Sequence, residues 1–207
     1  MILCFGGTFD PIHVGHLALA RQAAATLKVP VRMVLSAWPT HRDSPSASIP
    51  ERFAMLQAAC APHPELVPDD FEIRREAPSY TVDTLTALRQ AQPKAALGWL
   101  IGQDSLLSLE TWDRWPQVLE LAHLVVLQRA GYDAPLPESL ARQLAGRWLT
   151  DRCPEAPAGH VVRVTGQPPA VSSTQIRKGL MARDPVAHLL PTGVFSYIRT
   201  HRLYRGP

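Results

Sequence analysis

The 207-residue sequence has no long apolar run, no dense run of one charge and only three cysteines. No stretch approaches the ~18 consecutive apolar residues that a membrane-spanning helix requires, so no membrane partner is expected. The amino-terminal segment lacks the basic stretch and apolar core of a secretory leader, and a cytoplasmic location is the resulting expectation. Cys4, Cys60 and Cys153 are odd in number and have no metal-ligand spacing, which argues against a disulfide framework and a zinc site. The net charge of +3 is spread along the chain, not gathered into the Lys/Arg clusters of a nucleic-acid binder. No nucleic-acid partner is expected, and the mild excess suits a small anionic ligand. Neither common glycine-based phosphate cradle occurs: there is no Gly-Lys-Ser/Thr ending a P-loop and no Gly-x-Gly-x-x-Gly. Internal repeats are also lacking.

What is present is a hydrophobic content of 46%, enough for a sizeable core. Apolar runs alternate with amphipathic stretches. Strands are expected over 2–5, 31–35, 71–73, 97–102, 124–127 and 161–164. Helices are expected over 16–28, 51–59, 81–90, 105–109, 115–121, 138–148, 174–181 and 192–201. The strands are continuously apolar, as in a parallel sheet covered on both sides. The expected fold is therefore α/β: a Rossmann-like, doubly wound, mostly parallel sheet with helices on both faces. One domain is expected over 1–207, with a small helical subregion from about 172 to 207. Residues 130–158, rich in proline and polar side chains, read as a variable surface excursion.

Such sheets bind ligands at the carboxyl ends of their strands. There the sequence places Gly6-Gly7-Thr8-Phe9-Asp10-Pro11-Ile12-His13-Val14-Gly15-His16. Helix-start amides and the helix dipole favour anions. Two imidazoles three residues apart share one face and can hold phosphates or stabilise charge in phosphoryl transfer. Gly15 between them leaves room for a flat base or a ribose. Near the other end, Ser172 and Thr174 can cap a helix that carries Arg177 one turn in, giving a second phosphate site.

The first of these segments resembles the signature of nucleotidyltransferases with a His-x-Gly-His motif. Ser172-Ser173-Thr174-Gln175-Ile176-Arg177 resembles the second signature of that superfamily. Within it, Pro39-Thr40-His41-Arg42, Ala77-Pro78-Ser79-Tyr80-Thr81, Ile101-Gly102-Gln103-Asp104-Ser105-Leu106, Thr111-Trp112 and Leu189-Leu190-Pro191 are similar to bacterial nicotinate-nucleotide adenylyltransferases. The likeness runs almost end to end, apart from about 130–160. In the second loop, Leu35-Ser36-Ala37-Trp38-Pro39-Thr40-His41-Arg42 stands where relatives often read Pro-Asn-x-x-Pro-Pro-His-Lys/Arg, so the asparagine is missing and one proline is threonine.

The resemblance implies a reaction between ATP and nicotinate mononucleotide that yields nicotinate adenine dinucleotide and pyrophosphate, with Mg²⁺ carried on the ATP phosphates and no protein metal site. The mononucleotide's phosphate would attack the α-phosphorus in line. It further implies that His13, His16 and Arg177 are catalytic. Gly6, Gly7, Thr8, Phe9, His13, Gly15, His16, Gly102, Asp104, Ser172, Thr174 and Arg177 would bind ATP. Gly7, Thr8, His41, Arg42, Tyr80, Thr81 and Trp112 would bind the mononucleotide, with Trp112 stacking on the pyridine ring and Tyr80 and Thr81 near its carboxylate. The alternatives are pantetheine-phosphate adenylyltransferase, on the same fold, and a non-catalytic nucleotide-binding module. The sequence decides neither monomer nor homo-oligomer.

Overall fold

The computed structural model describes residues 1–40, 44–129 and 135–205. Seven parallel strands form one sheet in the order β3-β2-β1-β4-β5-β7-β6. They are β1 (Ile2–Gly7), β2 (Val31–Leu35), β3 (Leu66–Asp69), β4 (Leu97–Gly102), β5 (His123–Arg129), β6 (Trp148–Thr150) and β7 (Val161–Gly166). The helices are α1 (Val14–Leu27), α2 (Ile49–Cys60), α3 (Phe71–Arg75), α4 (Thr81–Ala91), α5 (Gln103–Leu107), α6 (Trp115–Leu121), α7 (Glu138–Leu144), α8 (Ser173–Ala182) and α9 (Thr192–His201).

The continuous apolar strands serve two cores at once. Leu3, Phe5, Met33, Leu100, Val125 and Val162 face one cluster, which takes in Leu17 of α1, Met55 of α2, Ile176 of α8 and Ile198 of α9. Cys4, Val34, Trp99, Ile101 and Val126 face the other, with Leu85 of α4, Leu106 of α5, Val118 of α6 and Leu140 of α7. Alternate side chains of a strand point to opposite faces, so an unbroken apolar run signals burial on both. The expected doubly wound α/β architecture is what the chain adopts.

Three expectations fail. Residues 71–73 form not a strand but the first turn of α3, started by the Phe71 amide donating to Asp69 Oδ1 at 2.8 Å. So short an apolar-polar-apolar run does not distinguish a strand from a helical turn. The real third strand, β3, contains Pro68, which argues against a strand except at a sheet edge. An edge is where β3 lies. The helix expected over 138–148 ends at Leu144, with Gly146 at φ 73° just beyond it, and the chain then enters β6. Nor is 130–158 an excursion across its described part: Leu140 and Leu144 are fully buried, and β6 pairs with β7.

The sheet reverses its winding at β1, which pairs with β2 on one side and β4 on the other. The β1–β2 ladder runs to Gly7↔Leu35 and the β4–β5 ladder to Gly102↔Leu127. The β1–β4 ladder, in contrast, stops at Cys4↔Trp99. The two central strands therefore separate before their carboxyl ends. Their divergence opens a crevice at the point where ligands bind in doubly wound sheets.

Candidate active site

Both ends of the crevice carry residues singled out in the sequence. Gly6 and Gly7 end β1. A Cβ on Gly6 would collide with the indole of Trp99 from β4, and one on Gly7 would lie 2.6 Å from Cε1 of Phe9. Bare backbone is thus required where β1 turns beneath two aromatic rings. Phe9 is buried in the left-handed region at φ 47°. Its ring meets His16 edge-on, with centroids 5.1 Å apart.

His13 and His16 open α1 together. His13 is the N-cap; its Nδ1 accepts the His16 amide at 3.3 Å, while His16 Nδ1 accepts the His13 amide at 3.3 Å. The rings stack at 3.6 Å between centroids. This is the reciprocal geometry of a capping box with imidazoles in both roles. Because each Nδ1 is an acceptor, each neutral ring carries its proton on Nε2. Burial holds His13 down to a pKa of about 4, so it is neutral at pH 7 and acts as a hydrogen-bond donor, not as a cation.

A Cβ on Gly15 would lie 3.1 Å from His13 Nδ1 and 3.1 Å from the carbonyl of Pro169. The bareness of Gly15 lets the segment before α8 close on the start of α1.

The two signatures, far apart in sequence, touch directly. Ser173 Oγ donates to the Pro11 carbonyl at 2.9 Å, and Arg177 Nη1 to the Asp10 carbonyl at 2.7 Å. Ser172 is the N-cap of α8, its Oγ accepting the Gln175 amide at 3.2 Å. Thr174 Oγ1 lies 3.5 Å from Arg177 Nη2. Ser173, inside the motif but given no role above, joins the two signatures together with Arg177.

Gly102 caps α5, and Asp104 stands exposed in its first turn. Tyr80 occupies the N-cap position of α4, followed by Thr81, and both are half-buried. Trp112 is half-buried too, packing like Tyr80 against the core on the β4–β5 side. His41 and Arg42 lie outside the described residues. Burial pushes the Cys4 and Cys60 thiols up to about 12, so neither is a nucleophile at neutral pH.

Asp10 and Arg52 went unnoticed as structural centres. Buried Asp10 accepts the amides of Ser46 at 2.8 Å and Ala47 at 3.1 Å and the hydroxyl of Tyr204 at 2.7 Å. Its Oδ2 lies 3.7 Å from Arg177 Nη1. Arg52, on α2, is fully buried among loop carbonyls. Only a sequence signal as weak as a lone Arg in an apolar helix marked it.

Comparison with known proteins decides the family. A cytidylyltransferase-like family model matches residues 4–179. A protein from Pseudomonas fluorescens named "Probable nicotinate-nucleotide adenylyltransferase" is 42% identical over 205 residues, covering 98% of this chain and 96% of the relative. One of the same name from Acidithiobacillus ferrooxidans is 41% identical over 210 residues, covering 100% and 96%. The chain belongs to the nicotinate-nucleotide adenylyltransferase family. Its fold also matches the nicotinic acid mononucleotide adenylyltransferase of Plasmodium falciparum solved with NaAD, at TM-score 0.74 and 18% identity over 98% of this chain and 96% of that one. In this adenylyltransferase, as described above, the candidate residues of both signatures meet at the carboxyl edge of the sheet. Among the described residues no helix is long and apolar enough to cross a membrane.

Proposed function

We propose that the chain joins ATP and nicotinate mononucleotide to give nicotinate adenine dinucleotide and pyrophosphate, a step of NAD biosynthesis. The observation that carries this reading is the paired imidazoles at the start of α1, held with Arg177 beside the β1–β4 crevice. A phosphate oxygen of the mononucleotide attacks the α-phosphorus of ATP. The new P–O bond forms as the bond to the bridging α,β-oxygen breaks, and that oxygen leaves with pyrophosphate. The attacking phosphate is already ionised near neutral pH, so no general base is required. Catalysis then reduces to alignment and charge stabilisation. The Nε2–H groups of His13 and His16 donate to the triphosphate, Arg177 offsets charge on the leaving oxygens, and Ser172 and Thr174 line the same corner. Gly6, Gly7, Thr8, Phe9 and Gly15 shape the junction of the substrates, while Gly102 and Asp104 flank the adenosine.

Tyr80 and Thr81 open α4, whose first amides and dipole favour an anion such as the nicotinate carboxylate. Trp112 offers a half-buried indole for the pyridine ring, and His41 and Arg42 clamp the mononucleotide's phosphate. Among the described residues no group of three or more His, Cys, Asp or Glu is placed to hold a metal, and the oxygens of Asp10 are committed to Ser46, Ala47 and Tyr204. Mg²⁺ in this reading enters on the triphosphate, where it neutralises phosphate charge. Residues 1–207 act as one catalytic unit. Its segment from 172 onward is tied back by the Ser173–Pro11 and Tyr204–Asp10 bonds. Three free thiols accord with work in a reducing cytoplasm.

The test is pyrophosphate release from MgATP with nicotinate mononucleotide, nicotinamide mononucleotide and phosphopantetheine in parallel. Turnover with the nicotinate substrate is expected. Turnover with phosphopantetheine alone would keep the ATP site but refute the roles of Tyr80, Thr81 and Trp112. Trp112→Ala should raise KM for the mononucleotide far more than KM for ATP; equal rises would return Trp112 to the core.

A further inference from the structure

Arg52 has 1% of its surface exposed and meets the residues assigned to the site only through backbone, at the Thr8 carbonyl. Its Nε donates to the Ala47 carbonyl at 3.2 Å, its Nη1 to those of Thr8 at 3.0 Å and Ser36 at 2.7 Å, and its Nη2 to that of Ala37 at 2.9 Å. Thr8 follows β1, Ser36 and Ala37 follow β2, and Ala47 precedes α2. Three stretches of chain at the carboxyl edge thus converge on one planar cation. Among the described residues its hydrogen-bond partners are neutral carbonyls, while the Asp10 carboxylate acts on its charge through space. Burying a guanidinium is costly, and an apolar side chain of similar volume would pack this helix at less expense. What the guanidinium offers instead is a rigid fork of donors.

That fork controls the backbone. In a planar trans peptide, a carbonyl turned toward Arg52 places the next residue's amide on the opposite side. The amides so fixed are those of Phe9, Ala37, Trp38 and Ser48. The Trp38 amide donates to Ser79 Oγ at 3.0 Å, and the Ser79 amide returns a bond to the Trp38 carbonyl at 2.9 Å. Ser79 adjoins Tyr80 and Thr81. The cation that fixes the turn after β1 therefore also sets the turn after β2 against the start of α4. Electrostatics point the same way. Carbonyl oxygens left facing a polyanion would repel it, and here they are turned onto a positive charge.

We propose that Arg52 is a positioning residue for adenylyl transfer, gathering the carbonyls of the β1 and β2 turns onto one guanidinium so that the two substrates' phosphates meet in line. This deepens the adenylyltransferase reading and rests on it. Arg52→Lys keeps the charge and most of the stem but replaces the fork by a point donor. Folded R52K, checked by circular dichroism, should lose about 10- to 100-fold in kcat, the scale of a small misalignment of reacting groups, with far smaller changes in either KM. Folded R52K with wild-type kcat overturns the proposal.

The wild-type chain gives a second reading that does not depend on the variant's folding. The Nε–H resonance of Arg52, assigned by nitrogen-15 NMR through bonds from its own backbone, should exchange slowly with solvent. It should also shift on saturation with nicotinate adenine dinucleotide. Rapid exchange, or a resonance unmoved at saturation, overturns the positioning role as well. Wild-type kinetics keep the two readings apart. Failure of the wild type to release pyrophosphate refutes the adenylyltransferase reading and this one with it, whereas wild-type turnover beside an unaffected R52K refutes only the role of Arg52.

Discussion

At the scale of single residues, His13 and His16 each satisfy a helix-start amide through Nδ1, and in the proposed mechanism each also donates from Nε2–H to the triphosphate. His16→Ala removes one acceptor and one donor. Loss of a cap contact costs about 1 kcal/mol, so the fold should survive with a slightly lower Tm. Loss of a donor to the phosphates should lower kcat on the order of 100-fold or more. A folded variant with wild-type turnover would remove His16 from the mechanism. His13 adds a pH signature. Its native pKa is held down to about 4 from an ordinary value of 6.5, so the unfolded chain binds a proton that the native chain refuses. Its contribution to stability is therefore complete above about pH 6.5 and is lost as pH falls through about 4, the native value. The neutral cap substitute His13→Asn should lose less stability than wild type between pH 7 and pH 4.5 in urea melts. Identical losses would mean that His13 does not titrate as its burial requires.

At the scale of elements, the last helix is held by the residue that follows it. Tyr204 sends its hydroxyl to Asp10 Oδ1 at 2.7 Å. Burial, and then the bond to Asp10, push that hydroxyl well above its ordinary pKa, so it remains a donor throughout the working range. Asp10 in turn neighbours Arg177 on α8. Tyr204→Phe should cost about 1–3 kcal/mol, read as a fall in Tm. It should also lower kcat several-fold by loosening Arg177, with KM for the mononucleotide little changed. A fall in Tm with intact kcat would make Tyr204 only a staple for α9.

Elements were also where the sequence was least legible. The apolar runs of β1, β2, β4, β5 and β7 could be read because burial on both faces leaves few polar positions in them, such as Arg32 of β2 and the exposed Arg163 of β7. β3 and β6 could not, because edge strands are short and tolerate residues such as Pro68 that a central strand would reject. α3 was hidden because its start depends on Asp69, whose carboxylate is positioned by Arg32 of β2 at 2.6 Å, a tertiary contact. Within the site, the two signatures were visible as patterns of donors. Arg52 and Asp10 were not, since their partners are mostly backbone groups on other loops, and backbone contacts leave little trace in residue type. The close approach of the Pro169 carbonyl to Gly15 was hidden for the same reason.

At the scale of the whole molecule, the proposed reading puts the two substrates on opposite sides of the divergence of β1 from β4. The triphosphate corner belongs to α1 and α8, which pack on one face of the sheet, and the start of α4 belongs to the other face. On that reading the dinucleotide product would bridge the two halves of the sheet's carboxyl edge, between which β1 and β4 pair at only three positions. Ligand that binds only the native state suppresses the local openings of the elements it touches. An ATP analogue at saturation should slow amide exchange at the starts of α1 and α8 and leave the start of α4 near its free rate. Nicotinate mononucleotide should protect the start of α4 and the turn after β2. Nicotinate adenine dinucleotide should protect all of these at once, and should slow exchange in β4 beyond either substrate alone because it fastens the two halves across the crevice. Hydrogen-exchange mass spectrometry of the whole chain reads each region separately. Protection confined to α1 and α8 with the dinucleotide bound would place the pyridine end outside the α4 corner, and the crevice would then be an ATP site with its second substrate elsewhere.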